Sequence, residues 1–425
     1  MKNEIWSERV DLFEPNIYIC FRVQITGRPE PDALLEAVKT AFTMNEAAMS
    51  RIVLEEDGTA YFEKLSESGC SVTVTKKDWL TLITENEKVP FRINIGELMR
   101  VFINLSGEEA ELLIMAHHLV GDGKSVVYFL EDVMKALAGE KSEYKSLRLI
   151  TKDSFPKCAK LPCFFKLYAE SFNKKWRQSG RIFSWEDYAK VHEVYWKESS
   201  SKVIYETFLP EETENLKRYA KGVGVSLNSC LTTAFLKANQ ENGCIGMPVD
   251  ARQDGNRAMS NQATGISVDY TYSEKLTFDE NVKIVHRKVQ RKLKNPVNRY
   301  FILQFMPLFE PALVDSVLMH TYNLFENGTT AKLASVLGYK GGKTRELGIT
   351  NLTRLDIPDS YGQYGIKEVL FIPPVVSYAK HIIGVVTTAD GMRISYHFMS
   401  DGNEAEEHAF FERAIKTLKD YSCSL

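Results

Sequence analysis

Apolar and polar positions along this chain switch between two periods, and the switches mark its elements. Residues 17–26 have the apolar density of a strand and are closed by Gly27. After Pro31-Asp32, the residues Leu34, Leu35, Val38, Ala41 and Phe42 fall on one stripe, which predicts a helix. Asp57-Gly58 between the apolar runs 52–54 and 60–62 predicts a hairpin. Residues 98–105 and 110–116 predict a strand pair around Gly107. The run Glu111-Leu112-Leu113-Ile114-Met115-Ala116 is nearly all apolar, as in a strand covered on both faces. The chain then turns at Gly121-Asp122-Gly123, and from Lys124 to Leu130 the spacing suits a helix.

Residues 138–201 break the pattern. They are rich in aromatics and lysine without a clean strand period, which predicts a connector with one or two helices. Its aromatic side chains either line a tunnel or pack against the flanking halves. Beyond it, the pattern predicts a strand at 203–209 and a helix at 211–221 with Gly222 just past its end. A helix capped by Ser226 follows at 227–239, then a strand at 266–272 and a basic helix at 278–293. Strands at 347–352, 369–372, 382–388 and 392–398 precede a closing helix at 404–421. Strands with covering helices in both halves predict an α/β protein, and 425 residues exceed what one core normally serves. The expected division is an N-terminal lobe at 1–165, a connector at 166–202 and a C-terminal lobe at 203–425.

Composition narrows the function classes. A formal net charge of −3 with 26% charged residues asks for neither nucleic acid nor an anionic surface as a general partner. The seven cysteines show no CxxC spacing and no dense disulfide pattern, as expected of free thiols in a reducing cytoplasm. A polar N-terminus without a signal-peptide core, and no run of membrane-spanning length, point the same way. There is no HExxH, phosphate-binding loop or GxSxG elbow, so no metal is assigned and nucleotide-dependent or hydrolase readings weaken.

Chemistry concentrates at His117-His118-Leu119-Val120-Gly121-Asp122-Gly123. A neutral imidazole at the end of a core strand is suited to taking a proton near pH 7. Two rare histidines with Asp and Gly at fixed positions would recur by chance on the order of once in a thousand such chains. His-His-x-x-x-Asp-Gly resembles the signature of the acyltransferase superfamily that holds condensation domains, chloramphenicol acetyltransferase-like enzymes and alcohol acetyltransferases. The resemblance implies two similar lobes, each a mixed sheet with covering helices, meeting at a channel. It implies acyl transfer from a thioester to an alcohol or amine, with His118 as general base and His117 supporting it.

By the same resemblance, Asp122 turns away from the histidine and pairs with an arginine of the second half. Arg252, in Val249-Asp250-Ala251-Arg252, matches that arginine, while Gly123 spares the turn a Cβ. Asn351, in Gly348-Ile349-Thr350-Asn351-Leu352, resembles a motif asparagine, so it would aid the oxyanion or channel, or simply satisfy a strand edge. No bound cofactor is implied. Coenzyme A or phosphopantetheine would enter as the thioester co-substrate, with a carrier protein as an alternative donor. The basic run His286, Arg287, Lys288, Arg291, Lys292 and Lys294 suits a phosphate-bearing donor, an acidic carrier protein or a solvated helix face. The rival function is a catalytically inert condensation-like protein that binds a carrier protein or partner enzyme.

Overall fold

The computed structural model describes residues 3–105, 109–197, 199–239, 243–252, 255–339, 347–400 and 402–422. Gly107 lies outside them. In chain order, β1 (Asn3–Glu4) and a 3-10 turn at Arg9–Asp11 precede β2 (Tyr18–Thr26) and α1 (Pro31–Thr43). The hairpin β3 (Ser50–Leu54) and β4 (Ala60–Lys64) leads to β5 (Ser71–Thr75) and α2 (Trp79–Asn86). β6 (Met99–Asn104), β7 (Ala110–His117) and α3 (Gly123–Leu137) follow. The connector holds α4 (Cys163–Ser179) and α5 (Trp185–Lys197).

The second half opens with β8 (Ser201–Phe208), α6 (Pro210–Val223), α7 (Leu227–Ala238), β9 (Cys244–Asp250) and β10 (Ala263–Asp269). Five helices follow: α8 (Phe278–Lys294), α9 (Pro296–Arg299), α10 (Phe301–Phe305), α11 (Pro311–Thr321) and α12 (Gly328–Leu337). The chain closes with β11 (Leu347–Arg354), β12 (Ser360–Tyr361), β13 (Tyr364–Ile372), β14 (His381–Thr388), β15 (Gly391–Met399) and α13 (Glu404–Ser422).

Two six-stranded mixed sheets organise the molecule, in the orders β12-β13-β2-β7-β6-β5 and β10-β9-β11-β14-β15-β8. In the first, β5 runs parallel to β6; in the second, β11 runs parallel to both β9 and β14. The strand that ends at His117 is central to the first sheet, paired with β2 from Tyr18 to Ile25 and with β6. Its neighbours bury both faces, which is why residues 112–116 carry no polar side chain. α3 packs on α1 over that sheet, with Phe42 stacked on Phe129 at 5.3 Å.

The two sheets are not independent. β13 comes from the second half of the sequence yet pairs with β2 from Cys20 to Thr26, so a late strand completes the early sheet. The aromatic connector resolves in favour of packing: Trp176, Phe183, Tyr188, Tyr195 and Trp196 are all buried in the larger core.

Several expectations shift. The helix expected to stop before Gly222 continues through it to Val223, and Gly224 takes the left-handed position at φ 78°. The strand expected at 266–272 lies at Ala263–Asp269. β5, α2 and the helices from Pro296 to Leu337 have no counterpart in the pattern reading.

Candidate active site

The site is built where β7 stops. Backbone bonds pin both histidines: His117 N–H donates to Leu98 O (2.9 Å) and His118 N–H to Ile17 O (2.8 Å). Neighbouring strand residues point to opposite sides, so the two imidazoles have different environments. His117 is buried, edge-on to Phe91 at 5.8 Å, and its Nδ1 accepts from the Leu119 amide at 3.2 Å. Burial, with the charges of His118 and Arg100, drives its pKa down to about 3, so it is a neutral ring. His118 is half-buried and forms no side-chain hydrogen bond among the described residues. Its Nδ1 is sequestered, which leaves Nε2 as the nitrogen available to a ligand.

The turn behind His118 is held by a dense polar network. Asp122 caps α3, accepting from the Ser125 amide at 3.0 Å. The same carboxylate receives both ends of the Arg252 guanidinium, Nη1 at 2.7 Å and Nη2 at 2.6 Å, and the Gln262 amide at 2.9 Å. Both Asp122 oxygens are thereby occupied, and neither takes a bond from a histidine. Arg252 also donates to Ser125 Oγ (2.7 Å), and Ser125 Oγ donates to Ser260 O (2.9 Å). Burial works against the guanidinium's charge, but Asp122 outweighs it and raises the Arg252 pKa. Outside the pair, Lys124 neutralises Asp250 at 3.0 Å.

Two glycines set how tightly this turn closes. A Cβ on Gly121 would lie 2.3 Å from Ser125 Cβ, an impossible contact with a side chain already committed to Ser260. A Cβ on Gly123 would lie 2.8 Å from Leu352 Cδ2, the movable end of a side chain on β11. The stricter requirement is therefore at Gly121, a position the sequence motif leaves open.

Leu352 brings the β11 bulge to the motif, and Asn351 beside it is already engaged. Its Nδ2 donates to Asn228 Oδ1 (3.2 Å) and its Oδ1 accepts from the Thr353 amide (2.7 Å), which holds Thr353 at φ 62°. One amide hydrogen is left for a ligand. The basic helix α8 lines an open groove of about 830 Å³ with His286, Arg287, Arg291 and Lys294. Among the described residues, no three His, Cys, Asp or Glu side chains converge to hold a metal.

One site residue gave no signal in the sequence. Asp11, in the 3-10 turn at Arg9–Asp11, accepts from Asn261 Nδ2 at 3.0 Å. Burial raises its pKa, while the charge of His118 and the bond from Asn261 lower it. Asn261 lies between Ser260 and Gln262, so one short segment ties Asp11 to the Asp122–Arg252 network.

With its two mixed sheets joined through β13, the architecture is the condensation-domain and chloramphenicol acetyltransferase-like fold. The trichothecene 15-O-acetyltransferase TRI3 of Fusarium sporotrichioides superposes with a TM-score of 0.65 at 12% identity, over 98% of this chain and 95% of that one. Polyketide synthase associated protein 5 of Mycobacterium tuberculosis gives 0.63 at 13%, over 99% and 100%. The first condensation domain of the CDA synthetase gives 0.62 at 13%, over 98% and 93%. No protein-family model matches the chain. The hybrid PKS-NRPS synthetase xenE of Xenoacremonium sinensis is 33% identical over 106 residues, 25% of this chain and 2% of that protein.

Proposed function

We propose that the chain transfers an acyl group from a thioester, on coenzyme A or a carrier protein, to an alcohol or amine. The observation that carries this reading is His118, an unpaired imidazole at the end of a rigid central strand, with a buried ion pair fixing the turn behind it. Nε2 takes the proton of the attacking hydroxyl or amine as that atom bonds to the thioester carbonyl carbon. The tetrahedral intermediate then collapses, the carbon–sulfur bond breaks, and the departing thiolate recovers the proton. A positioned base of this kind contributes roughly 10²–10⁴-fold. Burial raises the Asp11 pKa but the charge of His118 lowers it, so an imidazolium forming at His118 favours the Asp11 carboxylate. That role is closed to Asp122, because Arg252 neutralises it. His117 stays neutral and fills the space under the strand end.

The test incubates purified protein with a panel of acyl-coenzyme A and acyl-pantetheine thioesters plus alcohol and amine acceptors, and follows thiol release. Acceptor-dependent release that His118→Ala abolishes supports the reading. Binding of a carrier protein with no turnover of any donor would instead favour the inert alternative.

A further inference from the structure

Three of the large apolar side chains left exposed fall within five residues: Phe164 at 59%, Leu167 at 74% and Tyr168 at 39%. They occupy the first turns of α4 at i, i+3 and i+4, so they share one face. The opposite face locks the helix in place. Phe165 packs on Phe301 and Phe305, with centroids at 5.2 and 5.6 Å, and Ala169 and Trp176 are buried. Asn173 Nδ2 donates to Leu308 O at 2.8 Å and its Oδ1 accepts from the Glu310 amide at 2.9 Å. The exposed face cannot roll inward. Nearby, Ile302 is 36% exposed on α10, which is tied to the loop before α4 by Gln304 Nε2 donating to Ala159 O at 2.8 Å.

The charge around this face departs from that of the whole molecule. Residues 152–175 carry six lysines (152, 157, 160, 166, 174 and 175) against two carboxylates, Asp153 and Glu170, in a chain whose net charge is −3. All six lysines are exposed, and none forms an ion pair among the described residues, whereas Glu170 is held by Arg177. Lys174 and Lys175 continue the apolar stripe seven residues beyond Leu167 and Tyr168.

We propose that this face of α4 rests on an anionic lipid surface, with Phe164, Leu167 and Tyr168 at the acyl boundary and the lysines among the headgroups. A helix that is apolar on a narrow face and lysine-rich around it lies in the plane of a membrane rather than crossing it. Lysine is depleted in protein–protein interfaces, where aromatic and arginine anchors dominate, so six exposed lysines in this segment favour lipid over a protein groove. Lysine stems reach past apolar surface and leave their ammonium groups with the phosphates. This attachment is separate from the acyl-transfer chemistry and stands or falls independently of it.

Vesicle co-sedimentation of the full chain tests it, with phosphatidylcholine alone and with phosphatidylcholine–phosphatidylglycerol mixtures. Wild type should bind the anionic vesicles about tenfold or more tightly than the neutral ones at low salt. Phe164→Ser with Leu167→Ser should weaken binding about tenfold at every salt concentration, because apolar burial is lost. Lys160→Glu with Lys166→Glu should weaken it at low salt only, since screening removes the difference as salt rises. Unchanged melting temperatures would show that both variants remain folded. No binding of wild type to anionic vesicles overturns the proposal and leaves the face to a protein partner. Equal binding by wild type and the Phe164/Leu167 variant also overturns it, moving any lipid contact to another basic surface such as α8.

Discussion

Asp122 and Arg252, 130 residues apart in sequence, meet in a two-pronged ion pair whose side chains are 8% and 6% exposed. The pair joins the cap of α3 to the end of β9, and so fixes the turn that follows His118 against the second sheet. Removing one partner strands the other charge in a buried site, at a cost of about 3–5 kcal/mol. Asp122→Asn and Arg252→Ala should each lower the urea midpoint substantially. The double variant should lose less than the sum of the two, with a coupling of roughly 0.5–3 kcal/mol. Additive losses would show that the residues act independently.

His118→Ala should leave the urea midpoint close to wild type, because the ring makes no hydrogen bond among the described residues, while acyl transfer falls by about two orders of magnitude or more. Asp11→Asn keeps the shape and the bond from Asn261 but removes the ionisable carboxyl whose charge couples to His118. Its turnover should fall about tenfold, equivalent to about 1.4 kcal/mol of transition-state stabilisation. Wild-type turnover in the Asp11 variant would remove that residue from the mechanism, and wild-type turnover in the His118 variant would remove the mechanism itself.

The two glycines of the turn should respond differently to alanine. Gly121→Ala places a methyl group 2.3 Å from Ser125 Cβ, and Ser125 cannot retreat without giving up Arg252 and Ser260. A loss of about 1–3 kcal/mol is expected, together with lower activity as the turn shifts. Gly123→Ala presses only on Leu352 Cδ2. Adding Leu352→Ala should restore the activity of Gly123→Ala but not that of Gly121→Ala. Rescue of both, or of neither, would contradict the contacts assigned here.

How much of this was legible in the sequence follows from what each residue depends on. β7 declared itself because a strand covered on both faces must be apolar throughout, and α3 because the apolar spacing from Lys124 to Leu130 is helical. The Asp122–Arg252 contact was reachable through the resemblance, since spacing alone cannot pair residues in different halves. β5 leaves no buried run in the sequence, because Thr73 and Val74 are exposed and Val72 and Thr75 only half-buried. The helices from Pro296 to Leu337 are short and broken by Pro307 and Pro311, which hides any helical period. No local pattern states which sheet a strand will join, so β13's place beside β2 became visible only in three dimensions. Asp11 is a further case: a short polar turn becomes part of the site only because Asn261 and His118 are brought to it.

A buried network around Glu87 sets a pH dependence of stability. Ser201 Oγ lies 2.6 Å from Glu87 Oε2 and 2.8 Å from His397 Nε2, and all three residues are buried. The Pro373 carbonyl, 2.8 Å from His397 Nδ1, can only accept, so Nδ1 carries the ring proton and Nε2 accepts from Ser201. The single hydroxyl proton is then used, and Glu87 must donate to Ser201 Oγ as a neutral acid. Burial agrees: it pushes Glu87 up to about 7 and holds His397 down to about 4. Burial also raises Glu8 to about 8 and Glu14 to about 7, from an ordinary value of 4.5. Between 4.5 and these values the folded chain keeps protons that the unfolded chain has released. The stabilisation from these groups is therefore complete below the unfolded value and lost as pH rises through the folded ones. Glu87 alone accounts for up to about 3 kcal/mol of that loss. Glu97 and Glu407 act oppositely: although burial raises their pKa, bonds from Arg92 and Arg100 to Glu97, and from His381 and Tyr396 to Glu407, bring it below the ordinary value. Their contribution is lost in stronger acid. Burial lowers the pKa of His117, His192 and His397, whose neutral rings cost stability as pH falls below the ordinary 6.5 and so offset this slope there. Urea midpoints should thus fall from about pH 6.5 to about pH 8. Glu87→Gln keeps a donor for Ser201 but cannot ionise, so it should flatten that fall and exceed wild type in stability at the alkaline end. A Glu87→Gln profile parallel to wild type across this range would show that Glu87 is ionised in the fold and that the proton assignment is wrong.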